Sequence, residues 1–278
     1  MLAQGKINHL KIIKRSTFGL YLGDPSGEEV LLPNKYCTEE MKPEGALDVF
    51  IYRDSEDRPV ATTLTPKILL HEFALLKVSA VTRVGAFLDW GLEKELMVPF
   101  REQRQKMEAG RWYIVYLDLD QKTDRLYASN RLERFLSNED VSIREGEEVE
   151  VIVLQKTDLG YALIINHKHK GLVFTNDIFH ELHVGDRLKA YVKKIREDQK
   201  IDISLQPIGY RKSTETNSER IYRQLMEHEG FLPLTDRSTP EEISALLGIS
   251  KKAFKTSIGA LYKQKKIAME EDGIRLLK

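Results

Sequence analysis

The sequence predicts a mainly β chain with a C-terminal α+β module: three small five-stranded barrels in tandem, then a compact helical domain. Three observations carry this. Glycines recur at fixed spacing through the first three quarters of the chain, each opening short apolar runs. That punctuation stops after Gln206-Pro207, beyond which apolar residues recur at helical spacing between strong helix caps. Length and composition agree, since 278 residues suit two to four modules, and 41% hydrophobic with 31% charged residues describe a chain that buries real cores.

The repeats follow one template. In the first, Gly19 lies in FGLYLG, VLLP ends at Pro33, and Gly45 opens ALDVFIY. In the second, Gly85 lies in VGAFLDWG, LMVP ends at Pro99, and Gly110 opens RWYIVYLDL. In the third, Gly160 lies in LGYALII, GLVF ends at Phe174, and Gly185 opens DRLKAYVKKI. The first interval is 14 residues in all three and the glycine-to-glycine interval is 26, 25 and 25. The third copy reads most cleanly as strands over Glu148 to Lys156, Gly160 to Ile165, Lys170 to Phe174, Arg187 to Arg196 and Ile201 to Ser204. Five short strands in such a length suit a Greek-key barrel of the oligonucleotide-binding type, whose closure removes exposed edges. The expected boundaries are 1–65, 66–138 including a linker helix, and 139–207.

The glycine with an aromatic two positions on, the apolar strand ending 14 residues after it, and the turn before a last strand ending in Ser or Thr resemble the S1-type RNA-binding domain. The resemblance implies a stacking platform at Phe18 and Tyr21 in the first copy, with Asp54 and Arg58 completing the binding face and Thr62 closing the strand. Pro33 stands where that family has a histidine. The second copy keeps Phe87 and Arg125 but carries Val84, Pro99 and an Asp120 displaced by one residue. The third has Leu159, Ala162 and Phe174 at the corresponding points. In compensation, Lys189 and Lys193 alternate with Tyr191 along one strand, and Arg196 and Lys200 lie in the adjacent loop. These are expected to form a basic nucleic-acid-binding face, acting jointly with lysines of the last module.

Residues 211–217, RKSTETN, read as a linker. Glu219 to Glu229 is expected to form a helix through Ile221, Leu225 and Met226, stopped by Gly230. Thr239-Pro240-Glu241-Glu242 opens a second helix with a cap, a first-turn proline and acids at the positive end of the dipole, and Gly248 ends it. Ser250 caps a third helix, with Phe254, Ile258 and Leu261 on one face and Tyr262 beside them, and Asp272-Gly273 marks a hairpin. Together these predict a winged-helix domain over 216–278. Lys251, Lys252 and Lys255 begin the third helix, where a recognition helix meets phosphates; Lys263, Lys265 and Lys266 follow near its end. Three S1-type repeats followed by a winged helix resemble the conserved virulence factor B family of bacterial RNA-binding regulatory proteins, and the resemblance implies regulation through RNA.

Other classes are set aside by what is missing. No apolar run approaches the roughly 18 residues of a membrane span, and MLAQGKINHLKIIK lacks the features of a secretion signal, so a cytoplasmic protein with no membrane partner is expected. Cys37 is the only cysteine, and 43 basic against 43 acidic residues exclude crude polycation binding. Residues 208–278 carry 13 basic and 10 acidic residues, hence +3 against −3 for the remainder. His180 and His183 are three apart rather than the four of a zinc-binding HExxH, and His167 and His169 read as an exposed basic loop, so no metal or other cofactor is expected. No phosphate-cradling loop, nucleophile elbow or Cys-His pair occurs, and no catalytic residue is expected. The leading expectation is a non-catalytic single-stranded RNA-binding regulator. The alternatives are a DNA-binding transcription regulator using the winged helix and a scaffold docking on RNA-processing or ribosomal components.

Overall fold

A computed structural model describes residues 2–178, 181–207 and 217–277. Alternation builds the first barrel. In β1 (Ile7–Arg15) Leu10 and Ile12 turn inward between exposed Lys11 and Ile13; β2 (Gly19–Gly23) buries Leu20 and Leu22 on either side of Tyr21; β3 (Glu29–Pro33) buries Val30 and Leu32. β4 (Ala46–Arg53) and β5 (Pro59–Thr62) close the barrel in the order β1-β2-β3-β5-β4, sealed by parallel pairing of Leu31 with Val60. Gly19 holds a φ of +151°, and a Cβ there would lie 2.0 Å from the Leu32 carbonyl oxygen. The equivalent distances are 2.3 Å at Gly85 and 2.0 Å at Gly160. The repeated glycine is where two strands close up with no space for a side chain.

The second repeat comprises β6 (Phe73–Val81), β7 (Gly85–Asp89), β8 (Leu96–Pro99), β9 (Trp112–Asp120) and β10 (Arg125–Ser129), with strand order β10-β9-β6-β7-β8. The order is that of the first barrel, but β8 and β10 lie side by side without a hydrogen-bonded ladder. The residues just beyond them bridge instead: the Asn130 amide donates to the Glu102 carbonyl at 2.9 Å, and the buried Glu102 carboxylate receives Arg134 at 2.9 Å. The expected linker helix is not formed; the chain makes a single 3-10 turn at Leu132–Arg134. Leu132 and Leu136 have helical spacing and are buried, yet Asn130 and Ser137-Asn138 bracket a stretch too short to nucleate a helix.

The third repeat is again a closed barrel, of β11 (Glu148–Thr157), β12 (Gly160–Ile165), β13 (His169–Phe174), β14 (Arg187–Ile195) and β15 (Ile201–Ser204). Each strand lies within one residue of its sequence-based bounds. The His167 and His169 expectation is corrected. His169 is fully buried, its Nδ1 2.7 Å from the Ser137 carbonyl oxygen. His167 is half-buried in the β12–β13 turn; its Nδ1 accepts the Phe73 amide of β6 at 2.8 Å, and its ring lies parallel to that of Phe73 at 6.2 Å. The tip of this hairpin is an interface with the second repeat, so its polar composition does not signal exposure.

The chain divides into two units, Met1–Ile208 and Gly209–Lys278. Within the first, the barrels share cores: Phe50, Tyr52 and Val60 pack with Ile68 and Trp90, while Phe73, Leu132 and Leu136 pack with Ile152 and Ile164. The second contains α1 (Asn217–Glu227), β16 (Phe231–Leu232), α2 (Pro240–Leu247), α3 (Lys251–Lys263), β17 (Ile267–Met269) and β18 (Ile274–Leu276), with sheet order β16-β18-β17. Its core unites Ile221, Leu225, Ile243, Phe254, Ile258 and Leu261 with Ile267 and Ile274. Thr239 and Glu242 form a reciprocal capping box, Gly248 ends α2 in the left-handed conformation, and Ser250 accepts the Ala253 amide at 3.2 Å. Of the expected linker, residues 211–216 lie outside the described residues and Asn217 begins α1.

Candidate nucleic-acid interface

The residue before each repeated glycine faces solvent in all three barrels: Phe18 is 71% exposed, Val84 59% and Leu159 62%. The backbone places this position outward whatever the side chain, and only barrel 1 fills it with an aromatic ring. The Asn34 amide donates to the Phe18 carbonyl at 3.0 Å and the Asn34 side chain to the Thr17 carbonyl at 2.7 Å, which fixes the loop presenting Phe18. Nothing in the sequence pattern singled out Asn34. Tyr21, half-buried, points outward from β2 with the Lys14 ammonium 4.8 Å from its ring centroid.

Strand register places the remaining members. Gly19 pairs with Pro33, Tyr21 with Leu31, and Leu31 with Val60. Phe18 therefore lies just past the Pro33 end of β3 and Arg58 level with Glu29, about 16 Å apart along the strand direction, with Tyr21 between them. Arg58 is clamped: its Nε and Nη2 donate to Asp54 at 3.0 and 2.7 Å, and Nη1 lies 2.8 Å from Glu56. Partial burial raises the Asp54 pKa, but hydrogen bonds from the Arg58 amide and guanidinium and the Glu56 amide hold it below the ordinary carboxylate value. Asp54 and Arg58 thus meet each other first. Thr62 is fully buried, its oxygen accepting the Leu64 amide at 3.0 Å.

In barrel 2, Phe87 lines a cleft of about 790 Å³ between the first two barrels, together with Met97, Arg101, Asp120 and Tyr127. Tyr52 and Arg53 of barrel 1 form the opposite wall. Arg125 is engaged across this boundary, with Nε 3.0 Å and Nη2 2.9 Å from the Asp57 carboxylate. Reciprocally, Arg53 donates to the Asp124 carbonyl at 2.8 Å and pairs with its carboxylate. The Arg125 hydrogen bonds hold the Asp57 carboxyl below its ordinary value. Asp57 was missed from the sequence because it lies 68 residues from its partner.

Barrel 3 places every expected cation beside a carboxylate. Lys189 lies 2.7 Å from Glu148, which also accepts the Tyr191 hydroxyl at 3.0 Å; these two bonds, Lys189 first, lower the Glu148 pKa. Lys193 pairs with Asp177 and Lys200 with Asp198, both at 2.7 Å. Arg196 holds Asp202 at 2.9 Å with its guanidinium 5.6 Å from the half-buried Phe174 ring.

In the second unit α3 buries Phe254, Ser257, Ile258 and Leu261. Lys252 and Lys255 are exposed on the opposite side, Lys255 3.9 Å from Asp236; half-buried Lys251 reaches the Arg237 carbonyl at 3.5 Å. Among the described residues no helix is long and apolar enough to cross a membrane, and no cluster of three His, Cys, Asp or Glu side chains could hold a metal ion. His180 of the HExH-like segment lies outside them.

The fold and its family matches define a class: modular nucleic-acid-binding regulatory proteins. Residues 4–64 match the S1 domain family, and residues 219–276 match the CvfB-like winged helix domain. Over its full length the chain is similar to conserved virulence factor B of Staphylococcus epidermidis ATCC 12228, 27% identical across 99% of this chain and 95% of that protein. Conserved virulence factor B of Staphylococcus aureus USA300 is likewise 27% identical across 99% and 94%. A solved multidomain protein with nucleic acid binding domains from Streptococcus pneumoniae TIGR4 is 23% identical, covering 99% of this chain and 98% of its own, with a TM-score of 0.41.

Proposed function

We propose that the chain is a non-catalytic cytoplasmic regulator that binds single-stranded RNA, with barrel 1 as its base-stacking site. The observation that carries this is the outward Phe18, 71% exposed, in the loop that leads directly into the strand carrying the outward Tyr21. A large ring held in water by a hydrogen-bonded loop is of little use to the barrel core, whereas a base stacked on it is stabilised by about 1 to 3 kcal/mol. Arg58 and the lysines of barrel 3 and α3 then serve phosphates, with Lys189 and Lys200 giving up exposed carboxylate partners that bind them weakly. The regulatory part of the reading draws on the CvfB-like winged helix match over residues 219–276. The sequence carries no GxSxG elbow, phosphate-cradling glycine loop or Cys-His pair.

Titration with single-stranded RNA, single-stranded DNA and duplex DNA of matched sequence tests the reading. Single-stranded RNA is expected to bind tightest and to stay intact with Mg²⁺ or Mn²⁺ present. Preference for duplex DNA would move the function to the winged helix, and failure to bind any nucleic acid would leave a protein-docking scaffold.

A further inference from the structure

Barrel 2 carries an exposed aromatic ring one strand away from where barrel 1 carries its own. Register fixes the correspondence. Each repeated glycine pairs with the last residue of the next strand, Gly19 with Pro33, Gly85 with Pro99 and Gly160 with Phe174. The residue after that partner stands opposite the residue before the glycine: Asn34 opposite Phe18, Phe100 opposite Val84 and Thr175 opposite Leu159. In barrels 1 and 3 a backbone bond closes this pair, the Asn34 amide donating to the Phe18 carbonyl at 3.0 Å and the Thr175 amide to the Leu159 carbonyl at 3.1 Å.

Asn34 and Thr175 are polar, and their side chains tie the loop by donating to the Thr17 carbonyl at 2.7 Å and the Leu159 carbonyl at 3.2 Å. The position therefore needs no apolar side chain. Phe100 gives up that bond and sets a ring, 45% exposed, beside the exposed Val84. Tyr21 and Phe174 each have a cation over the ring, whereas among the described residues neither ring nor cation is stacked on Phe100.

The turn that presents this ring is held from within. Pro99 leads into a 3-10 turn at Phe100–Glu102, the Phe100 carbonyl accepts the Gln103 amide at 3.2 Å, and the buried Gln103 side chain donates to the Val98 carbonyl at 3.0 Å. Arg131 donates to the Arg101 carbonyl at 2.8 Å. The Arg101 guanidinium itself is exposed, with Asp120 at 3.7 Å and Glu102 at 3.8 Å, both beyond hydrogen-bond length, and Glu102 is already engaged by Arg134 at 2.9 Å. Arg83, next to Val84, is exposed as well. A fixed ring with an open face, flanked by guanidiniums, suits an unpaired base on a phosphate chain.

We propose that barrel 2 holds a second base-stacking site, in which Phe100 supplies from the opposite strand the ring absent at Val84, Phe87 supplies the second ring and Arg101 meets a phosphate. Its occupant is a base of single-stranded RNA, so the inference rests on the RNA-binding reading of the chain. Phe87 lies three residues beyond Val84, as Tyr21 does beyond Phe18, which is about 10 Å of extended chain. The two rings of barrel 2 thus repeat the interval of barrel 1.

The test measures binding of one mixed-sequence single-stranded RNA to the full chain and its variants, with urea midpoints as the check on folding. Phe100→Ala is expected to lower affinity about fivefold or more at an unchanged midpoint, and Phe100→Tyr to keep it. The double variant Val84→Phe/Phe100→Asn moves the ring across the strand pair into the arrangement of barrel 1. It is expected to bring affinity back toward the wild-type value, which a packing role for Phe100 would not do. Wild-type affinity in Phe100→Ala, or no recovery in a folded double variant, overturns the barrel 2 site while Tyr21→Ala still reports on barrel 1 by itself. A loss in Phe100→Ala with Tyr21→Ala silent keeps barrel 2 and removes barrel 1, and a wild-type chain that binds no RNA removes both.

Discussion

Barrels 1 and 3 share strand order, a parallel closing pair and the same strained glycine, yet present opposite surfaces. Barrel 1 exposes an aromatic ring at Phe18 beside the outward, half-buried Tyr21, whereas barrel 3 offers Leu159 and Ala162 there and a set of cations paired with carboxylates. The backbone specifies which positions face outward. The side chains at those positions differ between the two barrels.

The largest expected effect tests the shared half of that comparison. Gly19→Ala and Gly160→Ala each drive a methyl group into a carbonyl oxygen 2.0 Å away, and each is expected to destabilise its barrel by about 3 kcal/mol or more. Urea unfolding followed by barrel-specific hydrogen exchange measures this; a mild effect at either site would mean that the two scaffolds are not equivalent. Tyr21→Ala should weaken RNA binding by roughly 1 to 3 kcal/mol, and Phe18→Ala by a similar amount, while Leu159→Ala changes nothing. Equal losses from Phe18→Ala and Leu159→Ala would erase the functional contrast.

Next in size is a gain. Glu148→Gln leaves Lys189 without its carboxylate, and the salt dependence of RNA binding should steepen by about 0.7 if the freed lysine meets a phosphate. No steepening would mean that barrel 3 lies off the path of the strand. The smallest effect concerns pH. Burial lowers the His167 pKa, with Arg187 adding to the shift and Glu72 and Glu150 opposing it. The unfolded histidine takes up a proton near 6.5 and the folded one resists, so unfolding consumes a proton and stability falls as pH drops below about 6.5. His167→Gly, suited to the +54° φ there, should lose that dependence in urea midpoints measured from pH 7.5 to 5.5.

Much of this molecule is legible from local signals. The 14-residue interval locates two strands at once because the glycine must pair with the residue at its far end, and Thr239, Pro240 and Gly248 delimit α2 because caps are local chemistry. The candidate site is less so. The outward Tyr21 follows from alternation, but the fate of each cation depends on partners far along the chain: Glu148 lies 41 residues from Lys189. His169 shows the same limit, since a polar turn becomes buried only when Ser137 and Ser142 fold across it.

The crossed pairs between barrels 1 and 2 have a consequence for polymer physics. Arg53 with Asp124 and Arg125 with Asp57 tie adjacent residues of one turn to both ends of another, over a continuous apolar core. On the reading proposed above, two binding faces joined in this way act as a ruler rather than as beads on a string. A strand spanning both meets them at a spacing set by the protein, so the second contact carries no linker entropy and its strength depends on whether the strand's own repeat matches that spacing.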